Sequence, residues 1–299
     1  MVDDSLRIPE FIHPTRESKN DYDHLVGLDE QKKELLKTLT LMMDEKKIKD
    51  WIKRFKNDEL EILRYLKMGS PMIILSGEVG CGKTALAQSI GTPLAEALKS
   101  KVKVFETPSN IRGSGYVGQI SSRITEVFES VKERLADSEV GILIIDEADD
   151  LATSRAQNQA HHEDRAGLNV LIKEIDSIKK TNKRLAVILI TNRITVLDPA
   201  VRRRTSLHLN FERPTGERLR KVLTVIMKGV KYKESEINLL INDCGSHETP
   251  YSFSDLIHRV AKQALYEAVE ENVPFTIELF RKILLKTEPT PLLGDQRIN

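Results

Sequence analysis

The chain has 299 residues, 46 Lys plus Arg against 45 Asp plus Glu, a formal net charge of +1, and 40% hydrophobic residues. This length and apolar content exclude wholesale disorder and suggest two domains. The near-zero charge excludes a protein that grips nucleic acid through its net field. The two cysteines, Cys81 and Cys244, are too few for a disulfide framework and lack zinc-site spacing, which fits a reducing compartment. The opening residues MVDDSLRIPE contain no apolar core of a secretory signal, and the apolar runs at 142–145 and 185–190 are far shorter than a membrane span. A cytoplasmic protein without membrane contact is expected.

In chain order, residues 1–21 mix Pro9 and Pro14 with polar side chains and show no sustained period, as in an arm or linker. From Asp29 to Met43, Leu35, Leu36, Leu39 and Met43 recur at helical intervals, and Asp29 and Glu30 stand where the helix dipole favours negative charge. Residues 44–68 keep Ile48, Trp51, Ile52 and Phe55 on one side, which predicts a second helix with a charged outer face. After Gly69 and Pro71 the pattern becomes brief apolar runs at 72–75, 102–106, 141–146 and 185–191, separated by helical segments. Such runs are strands buried on both faces, so the fold class is α/β with a parallel sheet. Beyond Pro214 the segments 216–229, 234–242, 253–271 and 275–286 read as helices. The expected organisation is an arm (1–21), a large α/β domain (22–212), a small all-helical domain (213–287) and a tail (288–299).

The decisive motif is Gly77-Glu78-Val79-Gly80-Cys81-Gly82-Lys83-Thr84, which follows the first strand run directly. Glycines at this spacing let backbone N–H groups turn inward around phosphate oxygens, and the following helix adds its positive dipole end. Lys83 is placed to reach the β and γ phosphates and Thr84 to ligate magnesium, so ATP and Mg2+ are the expected cofactors. The strand at 141–146 ends in Asp146-Glu147-Ala148-Asp149. Asp146 is suited to hold magnesium and Glu147 to orient and activate the attacking water. A further strand ends in Thr191-Asn192. Asn192 reads either as a polar amide beside the γ-phosphate or as an ordinary turn former.

The order of these parts resembles the AAA+ ATPases over about residues 22–285. The resemblance implies a P-loop parallel-sheet domain followed by a helical lid, and hydrolysis of ATP to ADP and phosphate. It places Tyr22 to Asp29, with Val26 and Gly27, against adenine, and makes Asp146 and Glu147 the second acidic motif and Asn192 the first sensor. The stretch Leu197 to Arg204 resembles the region that supplies arginine fingers to a neighbouring subunit, with Arg204 the first choice and Arg203 the second. A planar guanidinium suits charge on a transferring phosphoryl group. The alternative for Arg202, Arg203 and Arg204 is a solvated surface cluster.

Between the second and third strand runs lies Gly113-Ser114-Gly115-Tyr116-Val117-Gly118. Tyr116 and Val117 resemble the gripping pair of an unfoldase pore loop. The insert Gln157 to Asp164, with His161 and His162, reads as a second channel loop or as a solvated one. The stretches 151–156 and 167–179 are most similar to the pachytene-checkpoint ATPases, which remodel HORMA-domain proteins. That resemblance implies a hexamer that grips and partly unfolds a HORMA protein, opens its closed state and dissolves its complexes. In the compact bacterial type it implies a partner nucleotidyltransferase and a switch-off of anti-phage signalling. The chain departs from the eukaryotic pattern in its short segment before the ATPase, in the Tyr-Val pair, and in Ser254-Asp255 where a second-sensor arginine is expected, which leaves Arg259 as a substitute. Two other function classes stay open: a nucleic-acid motor or loader using Arg202 to Arg204 and the segment 179–184, and a nucleotide-gated scaffold.

Overall fold

The structure, a computed structural model, describes residues 6–56, 59–63, 69–108, 111, 119–151 and 162–292. The chain divides into two compact units that are not consecutive stretches of sequence. The first comprises residues up to 22, 30–76 and 84–210; the second takes 23–29, 77–83 and the chain from 211 onward.

The first unit is built on a six-stranded sheet. Its strands are β1 (Glu10–His13), β2 (Met72–Gly77), β3 (Val102–Glu106), β4 (Val140–Ile145), β5 (Arg184–Thr191) and β6 (Thr205–Phe211), and they lie in the order β1-β3-β4-β5-β2-β6. β2, β3, β4 and β5 pair in parallel, with Leu143 opposite Val187 and Ile73 opposite Ile188. Every residue of β4 is buried, and β5 is buried from Leu185 to Thr191. Both are rich in β-branched and leucine side chains, which fit a sheet covered on both faces. On one face pack the helices Gln119–Arg134 and His162–Ile178. Ile124, Val127, Phe128 and Val131 of the former share a core with Leu168, Leu171 and Ile175 of the latter and with Leu143, Ile145 and Val187 of the sheet. Lys132 spans this helix pair, donating to Glu174 Oε2 at 2.7 Å and to Ser177 Oγ at 2.9 Å.

Three elements differ from the sequence expectation. The arm contains β1, which pairs antiparallel with β3 in the register Phe11 to Val104, and a helix Arg16–His24. As a four-residue edge strand with Phe11 and Ile12 exposed, β1 has no alternation for a periodicity reading to detect. β6 also went unpredicted, although Leu207 and Leu209 are more buried than the residues between them and Phe211 is fully buried. That period-two pattern marks a half-covered strand rather than a continuous apolar run.

The second helix, expected over 44–68, is shorter: it spans Glu45–Phe55, and the described Lys56, Glu59 and Leu60 are not helical. Asp44 caps it by accepting from the Lys47 backbone N–H at 3.0 Å, and the left-handed Lys56 (φ 52°) ends it.

The second unit carries helices Gly216–Ile226, Glu234–Gly245, Lys262–Glu270 and Ile277–Leu284. Leu223, Leu240, Tyr251, Leu256, Val260 and Phe280 are buried within it. The single helix expected over 253–271 is split: its first part, Asp255–Ala261, winds as a π-helix before the α-helix resumes. Tyr251 closes the base of this unit, its hydroxyl 2.6 Å from the Thr287 carbonyl, and burial pushes its pKa up to about 12.

Candidate functional site: a phosphate loop and an acidic strand end

In the second unit, residues 77–83 form a tight glycine-turned loop. Gly77, Gly80 and Gly82 all take positive φ, at 128°, 71° and 87°. A Cβ on Gly77 would lie 2.1 Å from the Phe211 carbonyl oxygen, and one on Gly80 would lie 2.7 Å from Ser254 Cβ, so neither position accepts a side chain. The loop is therefore a cradle of bare backbone, which is what close approach to phosphate oxygens requires. Lys83 is buried, and its ammonium donates to the carbonyls of Gly77 at 2.8 Å and Glu78 at 2.6 Å. Cys81 is buried too, and burial pushes its thiol up to about 11, with Lys83 and Arg213 opposing that rise. Glu78 and Val79 fill the outer turn; Val79 is exposed.

The same unit holds Val26 and Gly27. Gly27 is buried at φ 75°, with Phe253 and the Arg218 carbonyl next to it, and Val26 is half-buried. This gives the expected adenine segment an apolar aromatic neighbour in Phe253.

In the first unit, the residue after Lys83 begins a second cluster. Thr84 Oγ1 donates to Asp146 Oδ2 at 2.8 Å. Asp146 follows β4 directly, so the buried strand fixes where its carboxylate emerges. Glu147 is exposed and adopts a left-handed conformation at φ 51°, and its N–H donates to Asp146 Oδ1 at 2.8 Å. A non-glycine residue in that region carries backbone strain, a frequent mark of a functional turn.

Asp149, whose role the sequence reading left unassigned, is buried and joins two strand ends. It accepts from Thr191 Oγ1 at 2.9 Å and from Arg193 Nε at 3.1 Å. Those bonds flank Asn192, which is exposed at the end of β5. Asp146 is exposed and Asp149 buried, a difference that residue type and spacing alone do not reveal.

A hydroxyl paired with a carboxylate at the end of a buried strand suits an octahedral Mg2+ that keeps several waters. Among the described residues, no group of three or more His, Cys, Asp and Glu side chains forms a fuller metal site. Within the second unit the glycine cradle and Lys83 fit nucleotide phosphates, and within the first the Thr84–Asp146 pair fits Mg2+.

The arginines divide by partner. Arg204 donates through Nε to Asp176 Oδ2 at 3.2 Å and through Nη1 to the Ala200 carbonyl at 3.1 Å. Arg202 and Arg203 are exposed. Arg259 is engaged elsewhere: its Nη1 donates to Asp255 Oδ1 at 2.8 Å, the Glu288 carbonyl at 2.9 Å and Thr290 Oγ1 at 3.2 Å. Tyr116, Val117, His161 and most of the 157–164 insert lie outside the described residues.

Comparison with known proteins gives the family of the chain. Residues 73–213 match the family described as ATPase family associated with various cellular activities (AAA). The chain belongs to this AAA family of ATPases, and its mixed, mostly parallel sheet with flanking helices is the AAA architecture. Over nearly its whole length it is similar to CD-NTase-associated protein 6 of Escherichia coli (strain KTE188), at 31% identity covering 94% of this chain and 95% of that one. It is equally similar to a chain in the solved Escherichia coli MS115-1 HORMA:CdnC:Trip13 complex, with a TM-score of 0.87, 31% identity and coverage of 95% and 96%. The structure of Rhizobiales Trip13 matches with a TM-score of 0.73 at 26% identity, covering 95% of this chain and 98% of that one. The similarity to CD-NTase-associated protein 6 and to the chain of the HORMA:CdnC:Trip13 complex thus spans nearly the whole chain. Among the described residues, no helix is long and apolar enough to cross a membrane.

Proposed function

We propose that this chain is an ATP-hydrolysing ring, a hexamer, that remodels a HORMA-domain protein. The observation that carries this reading is the Thr84–Asp146 pair beside a strained Glu147, in a chain 31% identical to the one solved with HORMA and CdnC. ATP supplies the phosphoanhydride bond that water cleaves. Residues 77–83 bind its phosphates by backbone N–H groups, and Lys83 exchanges the carbonyls of Gly77 and Glu78 for phosphate oxygens. Thr84 and Asp146 hold Mg2+, and Glu147 orients the water and accepts its proton. Asn192, held in place by the Asp149 bonds on either side, contributes a polar amide. Val26 and Gly27 line the base.

Arg204 and Arg203 act on the neighbouring subunit's site. Arg204 does so at the cost of its Asp176 bond, whereas exposed Arg203 has no such bond to give up. Tyr116 and Val117 grip the polypeptide, and hydrolysis drives their movement. The substrate is a HORMA protein, free or bound to a nucleotidyltransferase, and opening it switches off second-messenger anti-phage signalling. The large domain spans 22–212 and the lid 213–287.

The test is capture. Glu147→Gln, loaded with ATP, should retain a tagged HORMA-domain protein in a pull-down that wild type releases. Tyr116→Ala should hydrolyse ATP at near the wild-type rate and fail to remodel. If DNA or RNA stimulates the ATPase in a salt-dependent way and the HORMA protein is never retained, the nucleic-acid motor replaces this reading.

A further inference from the structure

The phosphate loop contains a negative charge where phosphate must come. Glu78 is only partly exposed, at 27%, and an uncompensated carboxylate in an anion cradle repels its ligand. Its compensation comes from Arg213, in the same compact unit. Arg213 Nη2 lies 3.4 Å from Glu78 Oε2, and the arginine side chain is only 4% exposed.

The guanidinium also holds Pro250 and the C-terminal segment. Nη1 donates to the carbonyls of Pro250 at 2.7 Å and Thr290 at 2.6 Å, and Nη2 also reaches the Pro291 carbonyl at 3.1 Å. Among the described residues, Nε is buried with no hydrogen-bond partner. A buried cation with an unused donor and one carboxylate at the long end of hydrogen-bond range is incompletely satisfied.

The strap that holds Arg213 is itself anchored. Thr290 donates from Oγ1 to Asp255 Oδ1 at 2.6 Å and from its N–H to Asp255 Oδ2 at 3.3 Å. Asp255 Oδ2 also accepts from the N–H and hydroxyl of Ser252, both at 2.9 Å, and the N–H of Ser254 donates to the Gly80 carbonyl at 3.1 Å. One network therefore runs from residues 288–292 through Asp255 and Arg213 to both Glu78 and Gly80 of the loop.

We propose that Arg213 is a positioning residue of the nucleotide site: it neutralises Glu78 in the phosphate loop and makes nucleotide affinity depend on the C-terminal strap. The inference rests on the nucleotide reading above. It also accounts for the missing second-sensor arginine, since Arg259 is committed to Asp255 and the strap while Arg213 supplies the positive charge at the loop.

The test is ADP binding by titration calorimetry with the full-length chain as wild type, Arg213→Gln, Glu78→Gln and the double variant. Removing the cation leaves Glu78 unpaired, so Arg213→Gln should weaken ADP about tenfold. Glu78→Gln removes the repulsion and should tighten ADP several-fold, and the double variant should return to within about twofold of wild type. A purely structural arginine produces no such opposite signs and no rescue. Unchanged binding in Arg213→Gln, or a double variant as weak as Arg213→Gln, overturns the proposal. Should Arg213→Gln not fold, Glu78→Gln alone decides, since unchanged or weaker ADP binding in it contradicts the role. Failure of the wild-type chain to bind ADP at all would instead overturn the nucleotide reading itself.

Discussion

Thr84 Oγ1 donates to Asp146 Oδ2 at 2.8 Å across a sequence separation of 62 residues. The first residue after the P-loop lysine and the first residue after β4 thus meet, because a parallel sheet places the ends of β2 and β4 on the same edge. A hydroxyl held against a carboxylate is a pair that a divalent cation can replace, each oxygen turning to the metal. Thr84→Val should lower the magnesium-dependent gain in nucleotide affinity by about tenfold or more. Titrating ADP with and without Mg2+ checks this, and an undiminished magnesium gain speaks against the assignment.

Glu147 sits exposed in a left-handed turn. Glu147→Gln keeps size and hydrogen bonding but cannot take a proton. It should bind ATP as wild type and hydrolyse it at least about a hundredfold more slowly. Single-turnover hydrolysis separates the two outcomes.

Asp149 ties β4 to β5 through Thr191 and Arg193. Asp149→Ala leaves a buried hydroxyl and a guanidinium without their acceptor, at a cost of about 1–3 kcal/mol. Because Asn192 lies between those anchors, kcat should fall about tenfold while KM for ATP changes little. A thermal melt and steady-state ATPase assay on the same sample test both parts. Lost stability with unchanged kcat would reduce Asp149 to a structural role.

Burial raises the pKa of Asp255, but hydrogen bonds from Thr290, the Ser252 backbone, Arg259 and the Ser252 hydroxyl outweigh it and hold the carboxyl at about 2. A carboxylate with its folded pKa below the unfolded value of 3.8 adds stability above that value, which is lost as pH falls from about 4 towards 2. The shift corresponds to about 2 kcal/mol at neutral pH. Asp255→Asn should therefore be less stable than wild type at pH 7, and the gap should narrow below pH 4. Denaturant midpoints across that range measure it; a gap independent of pH contradicts the charge argument.

Burial raises Cys81 to about 11 and Cys244 to about 12, so both thiols stay protonated at neutral pH. Neither should react with iodoacetamide at pH 8 in the folded chain, and both should react in denaturant. Mass spectrometry of intact protein reads this directly.

The parallel core was legible because β2 through β5 are continuous apolar runs, a pattern that exposes itself to simple periodicity reading. β1 was not, since Phe11 and Ile12 lie on an exposed edge and pair with β3 only through distant contacts. The phosphate loop, Asp146 and Glu147 were readable as a motif with strand ends attached. Asp149 and Arg213 were not: one looks like any acid in a turn and the other like any surface arginine, until burial shows which partners each holds. The π-helical winding of Asp255–Ala261 was likewise not legible, since the segment carries an ordinary helical apolar spacing.

The central claim is that ATP hydrolysis, rather than ATP binding, opens a HORMA-domain protein. The most direct measurement is release of a fluorescently labelled partner from that protein's complex, followed over time with ATP and either wild type or Glu147→Gln. The account predicts release with wild type and ATP and none with Glu147→Gln. Equal release by both would contradict it and make the chain a nucleotide-gated scaffold.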